Sequence, residues 1–180
     1  MTVPIRTQIL QPAVPTLSTS PSFSEERPQD HAAVDALIDA AFGPGRFTKA
    51  AERLREGRRP VLALSFTAWD QDVLVGCVRQ WTIRVGPREV IFLGPIVVDP
   101  AWRHHGLGAA LIERACEAVW AAGHDLILLV GEPPFFGPLG FEQVPLGQII
   151  MPGPVDPRRV LARGPHPGAA QTLNGVVRPG

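Results

Sequence analysis

Tyrosine is absent from the 180 residues, cysteine occurs only twice, and seventeen Lys and Arg residues are balanced by seventeen Asp and Glu. Without tyrosine the chain has no phenolic proton donor. Cys77 and Cys116 each lie inside an apolar periodic segment, which argues against a secreted disulfide framework and for a reducing, cytoplasmic setting. A formal net charge of zero leaves no overall field to draw the chain onto nucleic acid or an anionic membrane. The longest strongly apolar run, Leu126 to Val130, is far short of the ~20 residues a spanning helix needs. Pro4, Pro12 and Pro15 break the N-terminal stretch, so it lacks the continuous apolar core of a signal peptide.

A chain of this length buries enough surface for one self-sufficient core. Met1 to Gln29 is rich in Pro, Ser and Thr and reads as a flexible leader, with a single domain over 30–180 whose last part, from about residue 151, is a Pro/Gly-rich extension. Asp30 is placed to cap a helix with an apolar stripe of Val34, Leu37, Ile38, Ala41 and Phe42, stopped at Gly43-Pro44-Gly45. Thr48 is placed to cap a second helix through Arg55. From Val61 the period becomes two, with Leu62, Leu64, Phe66 and Ala68 on one face. Asp70-Gln71-Asp72 then turns the chain into an antiparallel strand, Val73 to Val85. Val90 to Val98 is an apolar strand broken by Gly94-Pro95. A helix over about 106–122 turns Leu107, Leu111, Ala115, Ala118 and Ala122 inward, and the apolar run ending at Val130 completes a strand–helix–strand crossover. Asp156-Pro157 predicts a short helix through Ala162.

The segment richest in chemistry runs from Ile96-Val97-Val98-Asp99-Pro100 into Arg103-His104-His105-Gly106-Leu107-Gly108. A strand ends and a helix begins there. The first amides of a helix lack intrahelical acceptors and carry partial positive charge, so the turn suits a pyrophosphate. Gly106 and Gly108 remove side chains that would hold an anion away, and Arg103 and the two histidines add donors at the rim. A helix start with small residues for close packing would use the same pattern. The missing Gly-Lys-Ser/Thr excludes a P-loop, and two glycines do not make a dinucleotide fingerprint. Adjacent His104 and His105 without a third ligand at suitable spacing predict no metal site.

With its Arg/Gln-x-x-Gly-x-Gly/Ala string at Arg103 to Gly108, the chain resembles the GCN5-related N-acetyltransferase (GNAT) superfamily. The likeness extends from Asp30 to about Gln143, through Leu126 to Gly131 and Phe135-Phe136-Gly137-Pro138-Leu139-Gly140-Phe141. It implies an α/β (α+β) fold: a mixed, mostly antiparallel sheet, flanked by helices, whose fourth and fifth strands are parallel and splayed. It also implies acetyl-CoA as cosubstrate and an amine acceptor whose identity the sequence leaves open. By the resemblance, the backbone of Ile96 and Val98 pairs with pantetheine, an amide near Val97 or Val98 stabilises the oxyanion, and the amides of His104, His105, Gly106, Leu107, Gly108 and Ala109 hold the pyrophosphate, with Arg103 beside them. The Gly94-Pro95 interruption agrees, because proline inside a strand belongs at an edge or a bulge.

Glu132, after the fifth strand, is the candidate base, expected to be buried with a raised pKa; a solvated loop acid is the alternative. Many relatives place a proton-donating tyrosine where this chain has Phe136. Two functions stay open: an N-acetyltransferase acting by direct attack on the thioester, and a non-catalytic acyl-CoA binding or sensing module. The oligomeric state stays open too, with a homodimer among the alternatives.

Overall fold

A computed structural model describes residues 20–180. The first part of the expected leader lies outside the described residues, but its last part is a strand, β1 (Ser22–Glu25), antiparallel to β2 (Phe66–Asp70). Phe23 packs against the core, and the Ser24 and Thr67 hydroxyls are 3.0 Å apart. These long-range contacts order a segment whose local sequence carries no strong period.

Asp30 precedes α1 (His31–Phe42) but does not cap it. Its carboxylate turns back to accept from the Arg27 amide at 2.9 Å and the Arg27 guanidinium at 3.1 Å. Val34 and Ile38 are buried, whereas Phe42, at the end of the expected stripe, is 42% exposed. Thr48 donates to the Gly45 carbonyl instead of capping, and the second helix shrinks to α2 (Ala50–Arg53). The expected strand from Val61 also begins late. A 3-10 turn occupies Leu62–Leu64, because the Ser65 hydroxyl takes the Val61 carbonyl and the buried Gln80 amide takes that of Leu64.

From β2 the chain turns into β3 (Val73–Val85) and β4 (Arg88–Val98), then α3 (Leu107–Ala121), β5 (Ile127–Val130) and the single turn α4 (Pro133–Phe136). Helix α3 buries Leu107, Leu111, Ile112, Ala115, Cys116 and Val119, so its inward face is displaced from the expected one and Ala122 is exposed. At Gly76 a Cβ would lie 3.0 Å from Leu111 Cδ1, which lets the helix approach β3 closely.

The C-terminal stretch is not an appendage. Asp156 caps only a 3-10 turn, accepting from the Arg158 amide at 3.0 Å, and the expected helix is instead a strand, β8 (Val160–Arg163). Val160, Leu161 and Ala162 are all buried, the pattern of a strand covered on both faces. β8 lies between β5 and β6 (Glu142–Gln143), antiparallel to both, giving the order β1-β2-β3-β4-β5-β8-β6. β9 (Gly175–Pro179) pairs with the far half of β3 and, in parallel, with β7 (Ile149–Ile150). One core lies between α3 and the sheet, another on the opposite face under β9 and around Leu54 and Trp81, and a small third one under α1.

Candidate active site in the splay between two parallel strands

β4 and β5 are parallel, but they are in register only at Ile91/Ile127 and Phe92/Leu128. Beyond Phe92 they part. The divergence coincides with a bulge: Gly94 and Pro95 together oppose the single residue Arg79 of β3, between the pairs Gln80/Leu93 and Val78/Ile96. Gly94 has φ 127°, its carbonyl accepts from the buried Trp81 indole at 2.7 Å, and proline contributes no amide to the ladder. The bulge is thus held from the β3 side and directs β4 away from β5.

Past the bulge, the backbone alternation of β4 is set by one bond, the Asp99 amide to the Val75 carbonyl at 2.9 Å. Asp99 and Val97 therefore present their backbone groups to β3, while Ile96 and Val98 present theirs to the splay. Of the two oxyanion donors expected from sequence, Val97 is spent on the sheet and Val98 remains.

The turn after β4 carries the next group. The Asp99 carboxylate accepts from the Ala101 amide at 2.9 Å, and the chain then passes His104 at φ 68° and Gly106 at φ 74°. The first bond of α3 runs from the Ala110 amide to the Gly106 carbonyl, which leaves the amides of Leu107, Gly108 and Ala109 at the open end of the helix. A Cβ on Gly106 would meet nothing within 4 Å, so the approach to those amides is clear. At Gly108 a Cβ would sit in ordinary contact, 3.5 Å from Phe135 and 3.6 Å from Val98, which places the helix start beside β4 and α4. Arg103, His104 and His105 are exposed around the turn, His105 Nδ1 lying 2.8 Å from the Arg103 carbonyl. Among the described residues no three His, Cys, Asp or Glu side chains gather as a metal site, and no helix is long and apolar enough to cross a membrane.

Between the splayed strands lies a cavity of about 560 Å³, walled by Leu93 to Ile96 of β4, Leu129 and Val130 of β5, Gly131 after it, and Phe135 and Phe136. The Phe136 ring is only 7% exposed and stands edge-on to Phe135 and Phe141 at 4.9 and 5.7 Å. It lies over Gly131, where a Cβ would come within 2.2 Å of the ring.

The profile of the Acetyltransferase (GNAT) family matches residues 29–134. The chain belongs to the GNAT family. It is 35% identical over 75 residues to an uncharacterized N-acetyltransferase of Methanocaldococcus jannaschii, and that match covers 38% of this chain and about a third of the relative. Among solved structures, the GNAT family N-acetyltransferase YhbS of Escherichia coli, in complex with CoA, superposes with a TM-score of 0.75 at 21% identity over 93% of both chains. A GNAT acetyltransferase of Brucella melitensis, in complex with acetyl-CoA, gives 0.67 at 22% identity over 89% of this chain and 96% of its own. The mixed sheet with parallel β4 and β5 and flanking helices matches the GNAT fold of these structures.

The carboxylates of this GNAT cavity are all engaged by arginines. Glu132 is not buried as expected: its side chain is 67% exposed and paired with Arg159 at 3.1 Å. Asp156, whose carboxyl the Arg158 side chain and amide hold below the usual carboxylate range, is on the same wall. Glu52 lies between Arg55, at 3.4 Å, and Arg46, at 4.0 Å. Burial pushes both thiols, Cys77 and Cys116, up to about 12, so neither supplies a thiolate nucleophile near neutral pH.

Sequence reasoning missed the second wall of the cavity, contributed by Arg55 from after α2 and by residues 154–159 before β8. It also missed the bond network of Arg79. The side chain is buried, donating to Glu26 at 2.6 to 3.0 Å and to Asp35 at 2.6 Å. No local pattern could pair residues separated by 53 positions in the chain.

Proposed function

We propose that this GNAT protein is an N-acetyltransferase that moves an acetyl group from acetyl-CoA to a primary amine by direct attack. The observation that carries the reading is the unpaired edge of β4 at Ile96 and Val98, running straight into the open amide end of α3. An extended amide-bearing chain can add to that edge as a strand would, while a pyrophosphate takes the amides of Leu107, Gly108 and Ala109. Arg103 and the two histidines lie at the rim to receive further phosphate charge.

The thioester would then lie toward Gly131 and Phe136. The amine nitrogen forms the new C–N bond to the carbonyl carbon, the Val98 amide stabilises the developing oxyanion, and the C–S bond breaks as the thiolate departs, with the second proton of the nitrogen passing through water to the sulfur. The attacking ammonium, with a pKa near ~10.4 if it belongs to a lysine, must first lose a proton. Glu132 is solvated and already paired, so we assign it a relay role, passing that proton to water. The two buried thiols favour direct attack over an acyl-enzyme, because neither supplies a nucleophile.

A second reading, a non-catalytic acyl-CoA sensor, draws support from Phe136 in place of a proton donor and from the arginine-paired carboxylates. Incubation with acetyl-CoA and a panel of primary amines, following free thiol above the hydrolysis background, separates the two. Amine-dependent thiol release supports transfer. Stabilisation by acetyl-CoA with no amine-dependent release supports the sensor.

A further inference from the structure

A larger cavity, of about 860 Å³, lies on the other side of the bulge from the splay, and Ile38, Arg46, Glu52, Arg55 and Pro95 line both. At this junction two arginines, Arg46 and Arg55, meet two carboxylates, but their donors are not all satisfied. Arg46 and Arg55 share one carboxylate, Glu52. Arg46 pairs more closely with Asp39, at 2.7 Å, a carboxylate that is 61% exposed. Among the described residues Arg55 has only Glu52, at a long 3.4 Å, and the face of Phe92 at 5.3 Å. The Nε atoms of both guanidiniums are buried without a hydrogen-bond partner. Burial, with the charges of Arg46 and Arg79 nearby, lowers Arg55 to about 10. A buried donor without an acceptor costs free energy, and a guanidinium fork presents paired N–H groups that match a carboxylate. The Arg55 guanidinium also touches the bulge, where a Cβ on Gly94 would lie 3.1 Å from Nη2.

We infer that the acceptor is an amine carrying a carboxylate, which docks on Arg55 and Arg46 at the junction of the two cavities while its amino group reaches past Pro95 into the splay. This rests on the acetyl-transfer reading for its chemistry, but the binding it asserts can be measured without turnover. The carboxylate supplies acceptors to guanidiniums whose donors are not all satisfied. The same arginines repel a simple ammonium, so neutral-bodied amines are disfavoured and specificity comes from both effects.

The test uses a series of ω-amino acids, from glycine to 6-aminohexanoic acid, each against its own primary amide. The pairs match in size and differ in charge. Electron withdrawal by the amide makes its ammonium lose a proton more readily, so intrinsic reactivity favours the amide and a preference for the acid must come from the protein. The acids are expected to stabilise the CoA-loaded protein in thermal melts and to react with a KM roughly tenfold to a hundredfold below that of their amides. One chain length should stand out. Arg55→Gln should abolish that preference, and Arg55→Lys should restore part of it, with both variants compared at saturating acetyl-CoA. If Arg55→Gln fails to fold, the acid-against-amide comparison in the unaltered protein still decides. Equal or weaker binding of the acids overturns the inference. Acid-selective binding with no acetylated product leaves the docking of the carboxylate on Arg55 and Arg46 standing and removes the acetyl-transfer reading instead.

Discussion

Arg79, opposite the bulge of β4, donates a forked pair of hydrogen bonds to the buried carboxylate of Glu26, at 2.6 and 2.9 Å, and so ties the residue after β1 to the centre of the sheet. Burial pulls the Arg79 guanidinium down, and its bonds to Glu26 and then Asp35 more than restore it. Removing one partner from a buried pair leaves an uncompensated charge, whereas Asp35 is 58% exposed and cannot replace Glu26. Glu26→Gln is therefore expected to destabilise the fold by about 3 kcal/mol. At 2–4 °C per kcal/mol that is a fall in Tm of roughly 6–12 °C, read by circular dichroism. A shift of only a degree or two would mean that water reaches the pair.

Gly106→Val and Gly108→Val should both weaken acetyl-CoA binding, for different reasons. At Gly106 the left-handed φ of 74° disfavours a β-branched residue, and the new methyls would stand in an open approach. At Gly108 a Cβ fits at 3.5 Å from Phe135, and the added branches are expected to crowd Phe135, Val98 and the approach to the helix amides. Calorimetric titration of each folded variant checks this. Unchanged affinity would remove the phosphate role of this helix start.

How legible was all this beforehand? The strands β3 to β5, helix α3 and the turn between Val98 and Gly108 follow from local patterns, because period, glycine and proline act within a few residues. β1, β8 and the Glu26 to Arg79 pair do not, since their order comes from partners far away in sequence. Asp30, Thr48 and Glu132 show a further limit: each has the right residue type in the right place, but a nearby guanidinium or carbonyl takes the side chain.

Glu132→Gln separates a relay from a true general base. A general base is worth typically ~10²- to 10⁴-fold. With an exposed, arginine-paired carboxylate the expected loss in kcat is less than about tenfold, with the acidic limb of the pH–rate profile kept. A loss of a hundredfold or more, with that limb gone, would restore Glu132 as the base.

Phe136→Tyr would place a hydroxyl on a ring already boxed by Gly131, Phe135 and Phe141. Turnover should rise by about tenfold or less, with acetyl-CoA affinity nearly unchanged, because the added donor acts on the leaving sulfur in the transition state. Steady-state kinetics with a working acceptor measures both. No gain, or a loss, would mean that water already serves the sulfur or that the ring edge points elsewhere.

The placing of β8 and β9 has a consequence for how the protein is made. β5 waits for residues 160–163 and the far half of β3 for residues 177–179, so during synthesis both strands leave the ribosome with one edge bare. Open edges on apolar strands are templates for pairing between chains, and contacts this distant in sequence close slowly. The nascent chain thus passes through an interval in which its most apolar strand, Ile127–Val130, is exposed, and the yield of folded protein should depend on translation rate and chaperone supply more than the stability of the finished sheet would suggest.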